Sequence, residues 1–165
     1  MIRGRIETDD DAIRRLNDAA FGGTAESKLV EDLRVAGLVA VELVAIDESA
    51  VIGHILFSEL TVTLDEDVVP ALSLAPMSVR PGRQNSGIGG ALVRAGLDLA
   101  KDGGWHAVIV LGHPGYYPRF GFSASRARPL KAPFSGDAFM AIELVTGALA
   151  GDSGLIRYPP PFGIA

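Results

Sequence analysis

Residues 84–90 read Gln84-Asn85-Ser86-Gly87-Ile88-Gly89-Gly90 and lie between an apolar run ending at Val79 and a segment of helical period, GALVRAGLDLAKDGG. The run from Ala71 to Val79 predicts a strand. The segment from Gly87 to Asp102 places Ile88, Leu92, Ala95 and Leu99 on one face and stops at Gly103-Gly104. Next comes Ala107 to Leu111 (AVIVL), without polar alternation, as expected of a parallel strand covered on both faces. Strand, helix and strand at this spacing make a βαβ crossover unit from Ala71 to Leu111. At its first corner the free amides of a helix start face outward and glycines let a ligand approach the backbone. QNSGIGG therefore suits either a plain turn or a phosphate cradle. Pro76 has no N–H to give a ladder, which predicts an edge or a bulge and a strand that splays near Met77.

Working outward, Ile2 to Glu7 predicts a short strand, and helices follow at about Thr8 to Phe21 and Ala25 to Ala36, the latter with Leu29, Val30 and Leu33 on one face. Val39 to Asp47 and Val51 to Val62 are rich in β-branched residues and flank a turn at Glu48-Ser49-Ala50, an antiparallel pair. Phe139 to Leu144 gives a last strand before a Pro-rich extended end, LIRYPPPFGIA. The fold class is α/β: a mixed, largely antiparallel central sheet with a splayed parallel βαβ core. Residues 1–165 form one domain, without repeats or linkers.

Composition removes several classes of function. Twenty acidic against 15 basic residues give a formal charge of −5, which opposes attachment to nucleic acid or an anionic membrane. With no cysteine, disulfides and thiolate chemistry are excluded. No stretch resembles a signal peptide or is long enough to span a bilayer, so a cytoplasmic protein is expected. His54, His106 and His113 show no metal-ligand spacing, and no metal is expected. Two nucleotide motifs fail as well. QNSGIGG lacks the Gly-Lys-Ser/Thr ending of a P-loop, and Leu92 stands where a dinucleotide fingerprint needs its third glycine.

After the AVIVL strand comes GHPGYYPRFGF, Gly112 to Phe122, at the strand's carboxyl end, where open α/β sheets place ligands. Gln84-Asn85-Ser86-Gly87-Ile88-Gly89 and the tyrosine spacing of Tyr117-Pro118-Arg119-Phe120-Gly121-Phe122 together resemble the GCN5-related N-acetyltransferase superfamily. The first matches its Gln/Arg-x-x-Gly-x-Gly/Ala signature. With VIGHILFSELTV, LAPMSVRPGRQNSGIGGALV and RYPPPFG, the chain from Val51 onward looks like the YhbS-like branch. Many relatives carry alanine where Ser78 lies and glycine where Asn85 lies, and their asparagine ahead of the tyrosine has no clean equivalent here.

The resemblance implies acetyl-CoA as cosubstrate and direct transfer to a primary amine of a small molecule or protein. It implies that Met77, Ser78 and Val79 pair with the pantetheine arm, and that amides from Gln84, Asn85, Ser86, Gly87, Ile88, Gly89 and Gly90 hold the pyrophosphate. Tyr117 would protonate the leaving thiolate, with Tyr116 and Arg119 at the cofactor. An exposed edge strand in such a sheet admits a homodimer. Among carboxylates, Glu59, near a strand end, is the candidate general base, against a plain solvated role. The alternative to catalysis is an acyl-CoA-binding or regulatory module on the same fold. An oxidoreductase is disfavoured by the failed fingerprint.

Overall fold

A computed structural model describes residues 1–164, which cluster into two compact units, residues 1–58 with 75–99 and residues 59–74 with 100 onward. Two long strands, β3 (Ala50–Leu64) and β4 (Asp67–Val79), run through both.

In the first unit β1 (Ile2–Gly4), β2 (Val39–Asp47) and β3 are antiparallel neighbours. β2 and β3 are joined at Glu48-Ser49, both with positive φ, the backbone of a two-residue hairpin whose twist matches its strands. Helices α1 (Asp10–Phe21), α2 (Ala25–Val35) and α3 (Ile88–Asp102, ending in the second unit) complete it. Alternation along β3 divides its neighbours. His54 reaches Asn17 of α1, whereas Phe57, three residues on and so on the other face, lies against Gly96 of α3.

The inward face of α3 differs from the one its period suggests. Leu92, Val93, Leu97 and Ala100 are buried, whereas Leu99 is 47% exposed. The face is rotated toward Gly96, because a bare Cα there admits the Phe57 ring. A Cβ at Gly96 would come within 2.6 Å of Phe57 Cζ and still closer to Cε1. Gly96→Ala is therefore expected to lower stability in urea unfolding, since overpacking a buried ring costs about 1–3 kcal/mol against a helix-propensity gain of about 1 kcal/mol. A more stable variant would show that Phe57 swings aside freely.

In the second unit β4 runs parallel to β5 (Ala107–Leu111) over Ala71–Ser73, and β5 is antiparallel to β7 (Phe139–Glu143). Ala107 to Val110 are all buried, in keeping with their unbroken apolarity. α4 (Ala124–Ala127) and β6 (Leu130–Lys131) were not legible in the pattern, nor was β8 (Gly154–Arg157). The latter, which ends just ahead of the prolines, is a strand antiparallel to β3, with Thr61 opposite Arg157, and pairs with β6 in parallel. Leu60, Val62, Ile109, Phe139 and Ile156 share the core of this unit. The sheet is thus mixed and mostly antiparallel, as expected. Pro76, however, lies in an interior strand, β4 standing between β3 and β5, and not on an edge. The registered β4/β5 pairs end at Ser73, so the missing N–H removes no bond from that ladder. Among the described residues no helix is long and apolar enough to cross a membrane.

Candidate active site

The first unit brings together the end of β4 and the turn that follows. Met77 is half-buried, and Ser78 and Val79 are buried. Gln84 Nε2 donates to the Val79 carbonyl at 3.2 Å, tying the turn back to the strand. Ser86 Oγ donates to the Arg83 carbonyl. Asn85 has φ of 62°, the left-handed region that asparagine tolerates better than most residues, so it holds a conformation glycine would also adopt. The first intrahelical bond of α3 runs from Ala91 N to the Gly87 carbonyl, which leaves the Ile88, Gly89 and Gly90 amides as the free donors of a helix start. With the helix dipole behind them, they face a site suited to an anion. Ser78 Oγ is buried and has no hydrogen-bond partner among the described residues. Arg83, which borders this turn, is engaged with Asp47 at 2.9 Å.

The second unit holds the aromatic segment. Tyr117 opens a short 3-10 turn, Tyr117–Phe120, after β5. Its ring meets Tyr116 at 5.2 Å and Phe122 at 5.7 Å between centroids, both edge to face. Gly112 makes room for it, since a Cβ there would lie 2.7 Å from Tyr117 Cδ2. The Tyr117 hydroxyl forms no hydrogen bond among the described residues, and burial pushes the phenol up to about 12. Arg119 is folded onto its own segment. Its Nε donates to the Tyr116 carbonyl at 2.9 Å, and its guanidinium stacks 4.6 Å from the Tyr116 ring centroid. Glu59, on β3, is exposed between buried Ser58 and Leu60.

His54 belongs to the core and not to a ligand site. It is fully buried, with Nε2 2.8 Å from Glu42 Oε2 and Nδ1 3.2 Å from Asn17 Nδ2. Asn17 also donates to the Ile13 carbonyl, so Nδ1 accepts and Nε2 donates to the carboxylate. Arg34 of α2 donates Nε and Nη2 to the two oxygens of Glu42 at 3.1 and 2.6 Å. Burial alone would raise the Glu42 carboxyl, but the bonds from His54 and Arg34 more than offset it and bring it down to about 2. No spacing rule could have found this group, because it assembles only when β2/β3 pairing sets Val44 opposite His54.

Fold, turn and aromatic segment together define the class. The Acetyltransferase (GNAT) domain model matches residues 2–125, and the chain belongs to that acetyltransferase family. More particularly, it is 36% identical over 165 residues to the uncharacterized N-acetyltransferase YhbS of Escherichia coli K12, covering 98% of each chain. The structure of YhbS from Escherichia coli in complex with CoA superimposes with a TM-score of 0.90 at 34% identity, over 99% of this chain and 92% of that one. A GNAT family acetyltransferase from Brucella melitensis in complex with acetyl-CoA gives 0.80 at 32% identity, over 98% and 97% of the two chains.

Proposed function

We propose that residues 1–165 act as one domain that transfers the acetyl group of acetyl-CoA directly to a primary amine. The observation that carries this is the Gln84–Gly90 turn, whose free helix-start amides adjoin the end of β4. Relatives at 32–34% identity bind CoA or acetyl-CoA. The amine lone pair attacks the thioester carbonyl, the C–N bond forms, and the oxyanion is stabilised by a backbone N–H of Met77 to Val79. The C–S bond then breaks and the proton surplus on nitrogen ends on sulfur.

Tyr117 serves that last step as a hydrogen-bond donor to the departing thiolate. A phenol at about 12 is too weak an acid to surrender its proton outright to a thiolate of reference pKa about 8.5. Glu59, exposed and unpaired among the described residues, would take the ammonium proton through water.

Calorimetric titration of CoA and acetyl-CoA into the wild type and Asn85→Asp tests the site. The substitution keeps a residue tolerant of the left-handed backbone and adds a charge facing the phosphates. About tenfold weaker binding is expected. Equal affinity in both proteins would move the pyrophosphate elsewhere, and no binding by folded wild type would overturn the function. Release of free thiol from acetyl-CoA with a panel of primary amines then separates catalysis from the alternative, a module that binds acyl-CoA without turning it over.

A further inference from the structure

Eight arginines lie in the first unit, at positions 3, 5, 14, 15, 34, 80, 83 and 94. Arg3, Arg5, Arg14, Arg34 and Arg83 pair with carboxylates, and Arg94 also has an interaction. Among the described residues of this unit, only the side chains of Arg15 and Arg80 have no hydrogen bond or ion pair, Arg80 being tied to Ile52 and Arg83 through its backbone alone. Arg15 and Arg80 both line one cavity of about 420 Å³, between α1 and the β2–β3 turn.

The rest of the wall agrees with an anionic occupant. Thr8 and Ser49 contribute hydroxyls that have no partner among the described residues. The single carboxylate on the wall, Asp9, is already satisfied: it accepts from Arg3 at 2.7 and 3.0 Å and from the Ile6 amide at 2.9 Å. Buried Leu16 forms an apolar floor. The volume lies within the range of about 300–1,000 Å³ usual for small-molecule sites, more than a bare ion needs.

We propose that this cavity binds the phosphate group of a small phosphate monoester, at a site separate from the pyrophosphate turn. Two guanidiniums with two hydroxyls offer more donors than the two oxygens of a carboxylate can accept, and they match the three terminal oxygens of a phosphate. This goes beyond acetyl transfer and does not depend on it.

CoA carries phosphates of its own, so the test must separate the two sources. Inorganic phosphate is titrated into the full chain, free and saturated with CoA, following the arginine Nε–Hε signals by NMR. Two side-chain signals should shift saturably, and Arg15→Gln and Arg80→Gln should each weaken binding roughly tenfold. The response should persist with CoA bound. Both arginines are exposed and unpaired, so neither variant endangers the fold, which an unchanged thermal midpoint verifies. Absence of a saturable shift, indifference to either substitution, or loss of the response on CoA saturation would each overturn the proposal, the last by assigning the arginines to the cofactor. If CoA does not bind, the phosphate titration alone decides.

Discussion

Glu42→Ala is expected to lower the unfolding free energy by about 3–5 kcal/mol, the usual result of breaking a buried ion pair on one side. The Glu42 side chain is only 5% exposed and takes hydrogen bonds from Arg34 and His54. Removing it strands the His54 ring N–H without an acceptor and leaves the Arg34 guanidinium only the longer contact of its Nη1 with Asp10 Oδ1 at 3.4 Å. Urea unfolding should show the loss as a lower midpoint at unchanged slope. The joint replacement Arg34→Met, Glu42→Leu, His54→Leu should recover most of it, because the cost lies in the stranded partners more than in the absence of the network. A Glu42→Ala protein as stable as wild type would mean that Arg34 swings out to solvent unopposed.

The same carboxylate sets an acid dependence. Its folded value, about 2, lies below the ordinary 4.5, so protonation favours the unfolded chain. The contribution is complete above about pH 4.5 and fades as the pH falls toward 2. A depression of this size corresponds to about 3 kcal/mol. Asp9, held below its ordinary value chiefly by the Arg3 hydrogen bond, acts in the same direction. Stability measured from pH 5 down to pH 2 should therefore fall less steeply in Glu42→Ala than in wild type.

The strands and helices that position the turn were legible because their periodicity is local. β2, β3, β5 and α3 each carry enough apolar residues to declare their type alone, and the glycines of QNSGIGG mark the corner between β4 and α3. β8 was hidden for the opposite reason. Four residues beside a Pro-rich end become a strand through Thr61 to Leu64, ninety or more residues earlier in the chain, and through the two-residue β6. The misplaced Leu99 shows the limit of a periodic reading. Leucine outranks glycine on any hydrophobic scale, yet it is Gly96 that faces the sheet, because Phe57 fills the space a side chain would take. At the candidate site, the helix-start amides follow from the sequence. The retreat of Arg119 onto Tyr116 and the burial that raises Tyr117 depend on three-dimensional packing.

Tyr117→Phe and Gly112→Ala are expected to lower acetyl transfer by different routes, and the pair of variants decides whether the phenol acts in the reaction or only in packing. Tyr117→Phe removes a hydroxyl that bonds to nothing among the described residues and keeps the edge-to-face contacts with Tyr116 and Phe122. Its stability should stay within about 1 kcal/mol of wild type. Turnover of acetyl-CoA with the best amine of the panel should nonetheless fall about a hundredfold, the lower end of what losing one positioned hydrogen-bond donor to developing charge costs. Gly112→Ala keeps the hydroxyl but drives a methyl group into the ring that carries it. The Gly112 amide is fixed to the Ala138 carbonyl at 2.9 Å, so the ring must give way and not the strand end. Here stability should drop by about 1–3 kcal/mol together with turnover. A displaced phenol regains water, and its ionisation should move down from about 12 toward the ordinary value of 10, visible as more tyrosinate absorbance than wild type in mildly alkaline buffer. CoA affinity should stay near wild type in Tyr117→Phe. If that variant turns over at the wild-type rate while Gly112→Ala merely loses stability, Tyr117 is a packing residue and the departing thiolate does without its hydrogen bond.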